Sequence, residues 1–408
     1  MSVASDTDLQ PAGNSVITHQ SLSRLFLRFL RFGALAWGGP VAQIALIRQS
    51  LVDEEHWVSS EHFNRVLALY QVLPGPEAHE LCVYFGMLAR GRVGGLLAGL
   101  AFMLPGFVLI FALSWAYVEF GLDMQGELAL LFSTIQAAVV ALIVRAVHRI
   151  GSHVLLDRWL WIIGALAFAG QLLGVHFAAL LFAGGIAYYL AKRKPTAAIV
   201  FMVACAVALA TWFMQRGPLT FTSVVSATEL SEVSLTALFW SGLKAGVLTF
   251  GGAYTAIPLL QRDAVASGGW MTNSQFMDGI ALSGLLPAPL IIFTTFVGYV
   301  GGGPLGAIIM TFATFFPAFA FTLFAHEPLE RLVREQRIRQ FLDGLTAAVV
   351  GLIAATAVSL LITAVENFVG ALVFVAALGA LFYWNTKWLI PVVVACAAAI
   401  GAAAMFIA

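Results

Sequence analysis

Charge is what this sequence has least of. Of its 408 residues 10% are charged and 61% hydrophobic, against roughly 25% charged in an ordinary soluble domain. That imbalance excludes a large soluble core and points to a polytopic membrane protein. The net charge is zero, so no nucleic-acid partner is expected. Cysteine is nearly as scarce. Cys82, Cys205 and Cys396 stand far apart in apolar runs, which excludes a disulfide framework and metal-ligand spacing. No metal or cofactor is expected. Residues 1–20 lack the basic start and apolar stretch of a signal peptide and are expected to form a disordered cytoplasmic tail.

What is abundant is long apolar sequence. At about 20 residues per crossing, about thirteen transmembrane segments are expected. They fall at 22–47, 63–89, 93–118, 128–145, 159–175, 176–191, 197–214, 235–260, 276–300, 303–325, 340–364, 367–383 and 389–407. Several contain Gly or Pro and are candidates for half-spans. With a cytoplasmic N-terminus, Arg24, Arg28 and Arg31 lie at the inner end of the first segment. Arg90, Arg92, Arg145, His148, Arg149, Arg158, Lys192–Lys194 and the group Arg331, Arg334, Arg337 and Arg339 then also fall inside. Glu119, Asp123, Glu127, Glu229, Glu232 and Glu366 fall outside. This agrees with the excess of cations on cytoplasmic faces, Arg48 and Arg216 excepted. The expected location is the inner (plasma) membrane, N-terminus inside and C-terminus outside.

The sequence repeats itself. Gly251 and Gly252 stand 213 residues after Gly38 and Gly39, and the same offset pairs Arg31 with Lys244, Trp57 with Trp270, Phe63 with Phe276, Pro74 with Pro287 and Pro76 with Pro289. After one deletion the offset is 212, pairing Gly86 with Gly298, Gly94 with Gly306 and Pro105 with Pro317. The organisation expected is a tail (1–20), a first repeat (21–191), an extra span and linker (192–234) and a second repeat (235–408). Counted on the segments above, an odd number of crossings separates equivalent points. The second repeat is therefore expected to be inverted, as in many secondary transporters whose substrate lies between broken helices near the midplane.

Gly38-Gly39-Pro40 interrupts an apolar run, and freed backbone groups survive in a membrane only against protein or a wet cavity. A helix starting at Pro40 aims its N-terminal amides at the break, which makes an anion site. Pro74-Gly75-Pro76 is a second such break. Gly251-Gly252 and Pro287-Ala288-Pro289 are their counterparts, so four breaks could converge on one site. The alternative is a set of kinked helices in which Gly and Pro only permit tight packing. Arg31 and Lys244, seven residues before their Gly pairs, are candidates to line an anion path; alternatively they snorkel to the interface. Glu77 and Glu80 follow the second break in the first repeat only. They are candidate coupling groups, or acidic residues placed in a first helical turn by the helix dipole.

These motifs carry a resemblance to a known family. From about Leu22 onward, "GALAWGGP", "EEHWVSSEHF", "LPGPEAHEL" and "GGLLAGLAFMLPG", then "GVLTFGGAY", "GGWMTNSQF" and "LPAP", make the chain resemble the chromate ion transporter family in its long, two-domain form. The resemblance implies chromate efflux and resistance, with sulfate a chemically similar anion. Trp37 and Ala288 depart from the family's usual residues. The partners expected are a chromate- or sulfate-like oxyanion and the lipid bilayer, and homodimerisation stays open. An unrelated solute or an intramembrane enzyme are the remaining alternatives. "HELCV" and "HEPLE" lack the second His of a zinc-protease helix, and "GRVGGLLAG" has no Lys-Ser/Thr of a phosphate loop, so the chain is not expected to be an enzyme.

Overall fold

The computed structural model describes residues 21–37, 39–71, 73, 75–121, 129–216, 233–249, 253–326, 328, 335–365, 368–384 and 389–405. The 1–20 tail and Gly38, Pro74, Gly251 and Gly252 lie outside these residues. All regular structure among the described residues is helical. Four stretches among the described residues are long and apolar enough to cross a membrane, at Glu77–Glu119, Leu131–Val154, Leu290–Phe324 and Gln336–Ala364.

Four of the thirteen expected segments are not single helices. The run 22–47 divides into α1 (Leu22–Ala34) and α2 (Gly39–Arg48), the latter prolonged by a π-helical turn over Gln49–Glu54. The run 63–89 divides into α3 (Ser60–Tyr70) and the start of α4 (Glu77–Glu119). Each pair doubles back. A straight helix would hold residues 28 and 55 about 40 Å apart at 1.5 Å per residue, yet the Arg28 guanidinium pairs with the Glu55 carboxylate. Residues 62 and 84 would be about 33 Å apart, yet His62 Nε2 and Tyr84 Oη are 2.6 Å apart. Hydropathy cannot see this, because two short helices joined at a break have the composition of one span.

The chain reverses once more inside α4. Arg90 leaves the helix and Gly91 takes φ +62°, ψ −159°, a left-handed conformation that glycine adopts at little cost. The arms then touch backbone to backbone: a Cβ on Gly86 would sit 2.4 Å from the Gly94 carbonyl oxygen. The remainder of the first repeat is α5 (Ala129–Val154), α6 (Arg158–Leu172) and α7 (Phe177–Ala191), followed by the extra helix α8 (Pro195–Arg216). Helix α5 runs well past the expected end at residue 145, so Arg145 and Arg149 are helical rather than in a loop.

The second repeat uses the same devices. The run 235–260 becomes α9 (Leu235–Val247), a 3₁₀ turn Ala253–Ala256 and α10 (Ile257–Gln261), continued by a π-helical turn over Arg262–Ser267. Lys244 pairs with Asp263, where a straight helix would separate them by about 28 Å. The run 276–300 becomes α11 (Asn273–Gly284), a 3₁₀ turn Leu290–Ile292 and the start of α12 (Phe293–Phe324). Rings of Phe276 and Phe293 meet at 5.7 Å. Gly302 (φ −156°, ψ 23°) and Gly303 (φ 63°, ψ −157°) repeat the reversal at Arg90 and Gly91 almost angle for angle. Gly298 faces Gly306 as Gly86 faces Gly94. A Cβ on Gly33 would meet the Phe102 carbonyl oxygen at 2.2 Å, and one on Gly246 the Thr314 oxygen at 2.2 Å. The same positions carry the same close approaches in both halves. Helices α13 (Gln336–Ala364), α14 (Phe368–Tyr383) and α15 (Leu389–Met405) complete the chain.

Two apolar cores result. One, under the first-repeat hairpins, gathers Leu25, Phe29, Trp57, Phe63, Phe85 and Phe102. The larger joins α5–α7 to the second repeat through Val139, Ile143, Phe276, Phe293, Phe296 and Ile353.

Candidate functional site

The breaks are fastened by polar contacts. After α1, Leu35–Trp37 is non-helical, and the buried Gln43 side chain of α2 reaches back to donate to the Ala36 carbonyl at 3.1 Å. After α3, Gly75 and Pro76 lead into α4, whose N-terminal residue is Glu77. The Gly75 N–H donates to the Thr249 carbonyl at 2.8 Å. Thr249 is the last described residue before the Gly251-Gly252 break. The second break of one repeat therefore touches the first break of the other. The turn Ala253–Ala256 packs on Leu290–Ile292, which brings the Pro287-Ala288-Pro289 break to the same region. Pro287 and Pro289 are buried, and Ala288 Cβ sits against Gly106 of α4. On the other side α2, which begins with Gly39 and Pro40, packs on α4.

Three ionisable side chains stand in the first turn of α4. Glu80 and His79 are fully buried and Glu77 nearly so. The Glu80 carboxylate closes over Gly75, where an added Cβ would lie 2.6 Å from Oε1. Neither carboxylate oxygen of Glu80 has a hydrogen-bond partner among the described residues. The His79 ring is held edge-on between Phe315 and Phe319 at 5.0 and 4.7 Å.

Positive charge reaches this region from α5. Arg149 lies within electrostatic range of Glu77 and of Tyr254. Arg145, one turn earlier on the same helical face, is also in range of Tyr254. Tyr254 follows the Gly251-Gly252 break and Glu77 follows the Pro74-Gly75-Pro76 break, so Arg149, itself exposed, lies within electrostatic range of a residue from each. Sequence reasoning assigned both arginines to the inner charge cluster, and the signal that distinguishes them is a long-range contact. The two cations singled out in the sequence are placed differently. Arg31 is on the exposed side of α1, and Lys244 is bound to Asp263.

A separate buried network was also invisible in sequence. Asp278 of α11 accepts from Tyr117 Oη of α4 at 2.7 Å and from Gln136 Nε2 of α5 at 2.8 Å. Gln136 Nε2 also reaches Ser274 Oγ at 2.9 Å. Both carboxylate oxygens are satisfied, which suits a joint between the repeats.

The N-terminus of α4 lies where the two repeats meet, with the Arg149 guanidinium in electrostatic range of its first residue, and a helix N-terminus with positive charge nearby suits a small anion. The family model described as "Chromate transporter" matches residues 23–189 and again 236–402. The chain belongs to the chromate transporter family. The "Chromate transport protein" of Pseudomonas aeruginosa is 51% identical to it, over 98% of this chain and 98% of that protein. That of Cupriavidus metallidurans is 31% identical over 93% of this chain and 92% of its own length. A "Probable chromate transport protein" of Synechococcus elongatus is 31% identical over 83% and 84%. No solved structure matches the chain. Membership of the chromate transporter family makes the protein a membrane transporter of an oxyanion, built from two family repeats.

Proposed function

We propose that this protein exports chromate across the inner membrane and thereby confers chromate resistance. The observation that carries the site is the 2.8 Å bond from Gly75 N–H to the Thr249 carbonyl, which joins breaks from the two repeats. The site consists of Gly38, Gly39, Pro40, Pro74, Gly75 and Pro76, with Gly251, Gly252, Pro287 and Pro289, and its charge comes from Arg149 and Arg145. Arg31 and Lys244 act at the approaches. Glu77, within electrostatic range of Arg149, and Glu80 are the coupling candidates. Two relatives named for chromate transport, matching nearly from end to end, support chromate as the substrate.

The same reading makes the repeats inverted and sets their limits at 21–191 and 235–408. If each doubled-back pair enters and leaves on one face, the crossings between equivalent points are the long arm of α4 and then α5, α6, α7 and α8. That number is odd, so the second repeat starts from the opposite face. Arg48, an exception to the charge rule when α1–α2 is read as one span, then lies on the cation-rich side, and Arg262 becomes the new exception. The termini fall inside and outside respectively. Export is favoured energetically. One charge moved through 100 mV gains about 2.3 kcal/mol, so a dianion leaving a negative-inside cell gains roughly twice that, about three decades of gradient. The test is labelled chromate flux in liposomes, with sulfate as competitor. Saturable flux of unchanged chromate that Arg149→Gln weakens supports the reading; flux that a tenfold excess of sulfate abolishes would make sulfate the substrate.

A further inference from the structure

A cavity of about 530 Å³ lies between α6, α7 and α8. Its walls are apolar, with Ile163 and Leu166 from α6, Leu180 from α7, and Phe201 and Met202 from α8 among them. The surrounding outer faces are apolar too: Phe182, Ile186, Val200, Val203 and Val207 are exposed. The cavity therefore borders hydrocarbon rather than water. An empty apolar space there would forfeit dispersion contacts that a lipid tail could make.

Polarity is concentrated at one end of this cavity. His176 lines it and caps α7, its Nδ1 accepting from the Ala178 N–H at 3.3 Å. The next ring along, Phe177, carries the Arg262 guanidinium at 5.4 Å from its centroid. Arg262 Nη1 is a buried donor with no hydrogen-bond partner among the described residues. The adjacent Asp263 pairs with Lys244 instead. The cavity thus ends at His176, whose chain neighbour Phe177 carries a guanidinium with a buried N–H unpartnered among the described residues. Guanidinium pairs with phosphate through parallel hydrogen bonds, and a lipid phosphate stands at the end of an acyl chain, where Arg262 stands relative to the cavity.

We propose that this groove is a site for an anionic phospholipid, with one acyl chain between α6, α7 and α8 and the phosphate on Arg262. The lipid joins the extra helix α8, which packs chiefly on α7, to the first repeat. It also ties that repeat to the α9–α10 hairpin through Arg262. The site is distinct from the breaks, and its test does not require transport.

The experiment is native mass spectrometry of the full chain in mild detergent, titrated with phosphatidylglycerol or phosphatidylcholine, alongside thermal melting. The expected result is one retained phosphatidylglycerol, bound about tenfold better than phosphatidylcholine, that raises the melting temperature. Arg262→Gln should erase the headgroup preference, and Ala183→Phe, which fills the groove, should remove retention of both lipids. Inorganic phosphate at the same concentration should not displace the lipid. Equal binding of the two lipids by the unaltered protein would overturn the proposal, and so would a preference that survives Arg262→Gln. Unchanged retention in Ala183→Phe would exclude the groove, displacement by inorganic phosphate would assign Arg262 to a free anion, and a dimer that forms only with the groove unfilled would assign the surface to a second copy.

Discussion

At the scale of single residues, the cation at the site is decided by company rather than by charge. Lys244 and Arg28 each face a carboxylate across their own hairpin, and those pairs hold two short helices together. Arg149 is in electrostatic range of Glu77 and Tyr254, which belong to different repeats, so removing it changes the field where the halves meet. Attraction scales with the charge of the substrate and is stronger in a partly dry cavity than in water. Arg149→Gln is expected to raise the half-saturation concentration for chromate at least tenfold, about 1.4 kcal/mol, and Arg149→Lys to recover part of it. Arg31→Gln and Lys244→Gln should have smaller effects that fade at high salt, as approach charges do. Initial flux against chromate concentration, at two ionic strengths, checks both. None of this ranking was legible in the sequence. Arg145 and Arg149 close an apolar run and read as ordinary inner-face cations, while Arg31 and Lys244 stand out by their matched positions.

At the scale of elements, the glycine and proline pattern was legible, and its geometry was not. Recurrence of the breaks at a fixed offset marked them as parts of a repeat. Composition could not say that α1–α2, α3–α4, α9–α10 and α11–α12 double back, because direction leaves no trace in an apolar average. The reversals at Gly91 and Gly303 need a left-handed residue and were missed, though both glycines sit in the matched stretches. Bulk at the breaks should obstruct the proposed site. Gly39→Leu and Gly252→Leu are each expected to abolish chromate flux while protein still reaches the membrane, and normal flux in the double variant would reduce these glycines to packing. Where α11 joins α4 and α5, Asp278→Ala would remove the carboxylate that accepts from the Tyr117 hydroxyl and the Gln136 amide. Each intramolecular hydrogen bond lost costs about 0.5–1.5 kcal/mol. A lowered melting temperature in detergent, with Asp278→Asn milder than Asp278→Ala, is the expected outcome.

At the scale of the whole molecule, the question is which way the second repeat faces. The two halves share their reversals, close approaches and hairpins, and the bond between Gly75 and Thr249 sets unlike breaks against each other. A tandem copy entering from the same face would need an even number of crossings between equivalent points. The helices between them, with each doubled-back pair counted as no crossing, make an odd number. Exposed Glu54 and Ser267 occupy equivalent positions at the base of the first hairpin in each repeat. Cysteines placed at these two sites should therefore label from opposite faces of the membrane. The background must lack Cys205 and Cys396, the two native thiols that are not fully buried. In right-side-out vesicles an impermeant maleimide should modify Ser267→Cys and spare Glu54→Cys, and inverted vesicles should exchange the two. Labelling of both from one face would sink the inverted arrangement. A central site reached alternately from each side would then have to come from some relation between the halves other than the two-fold one that their matched breaks suggest.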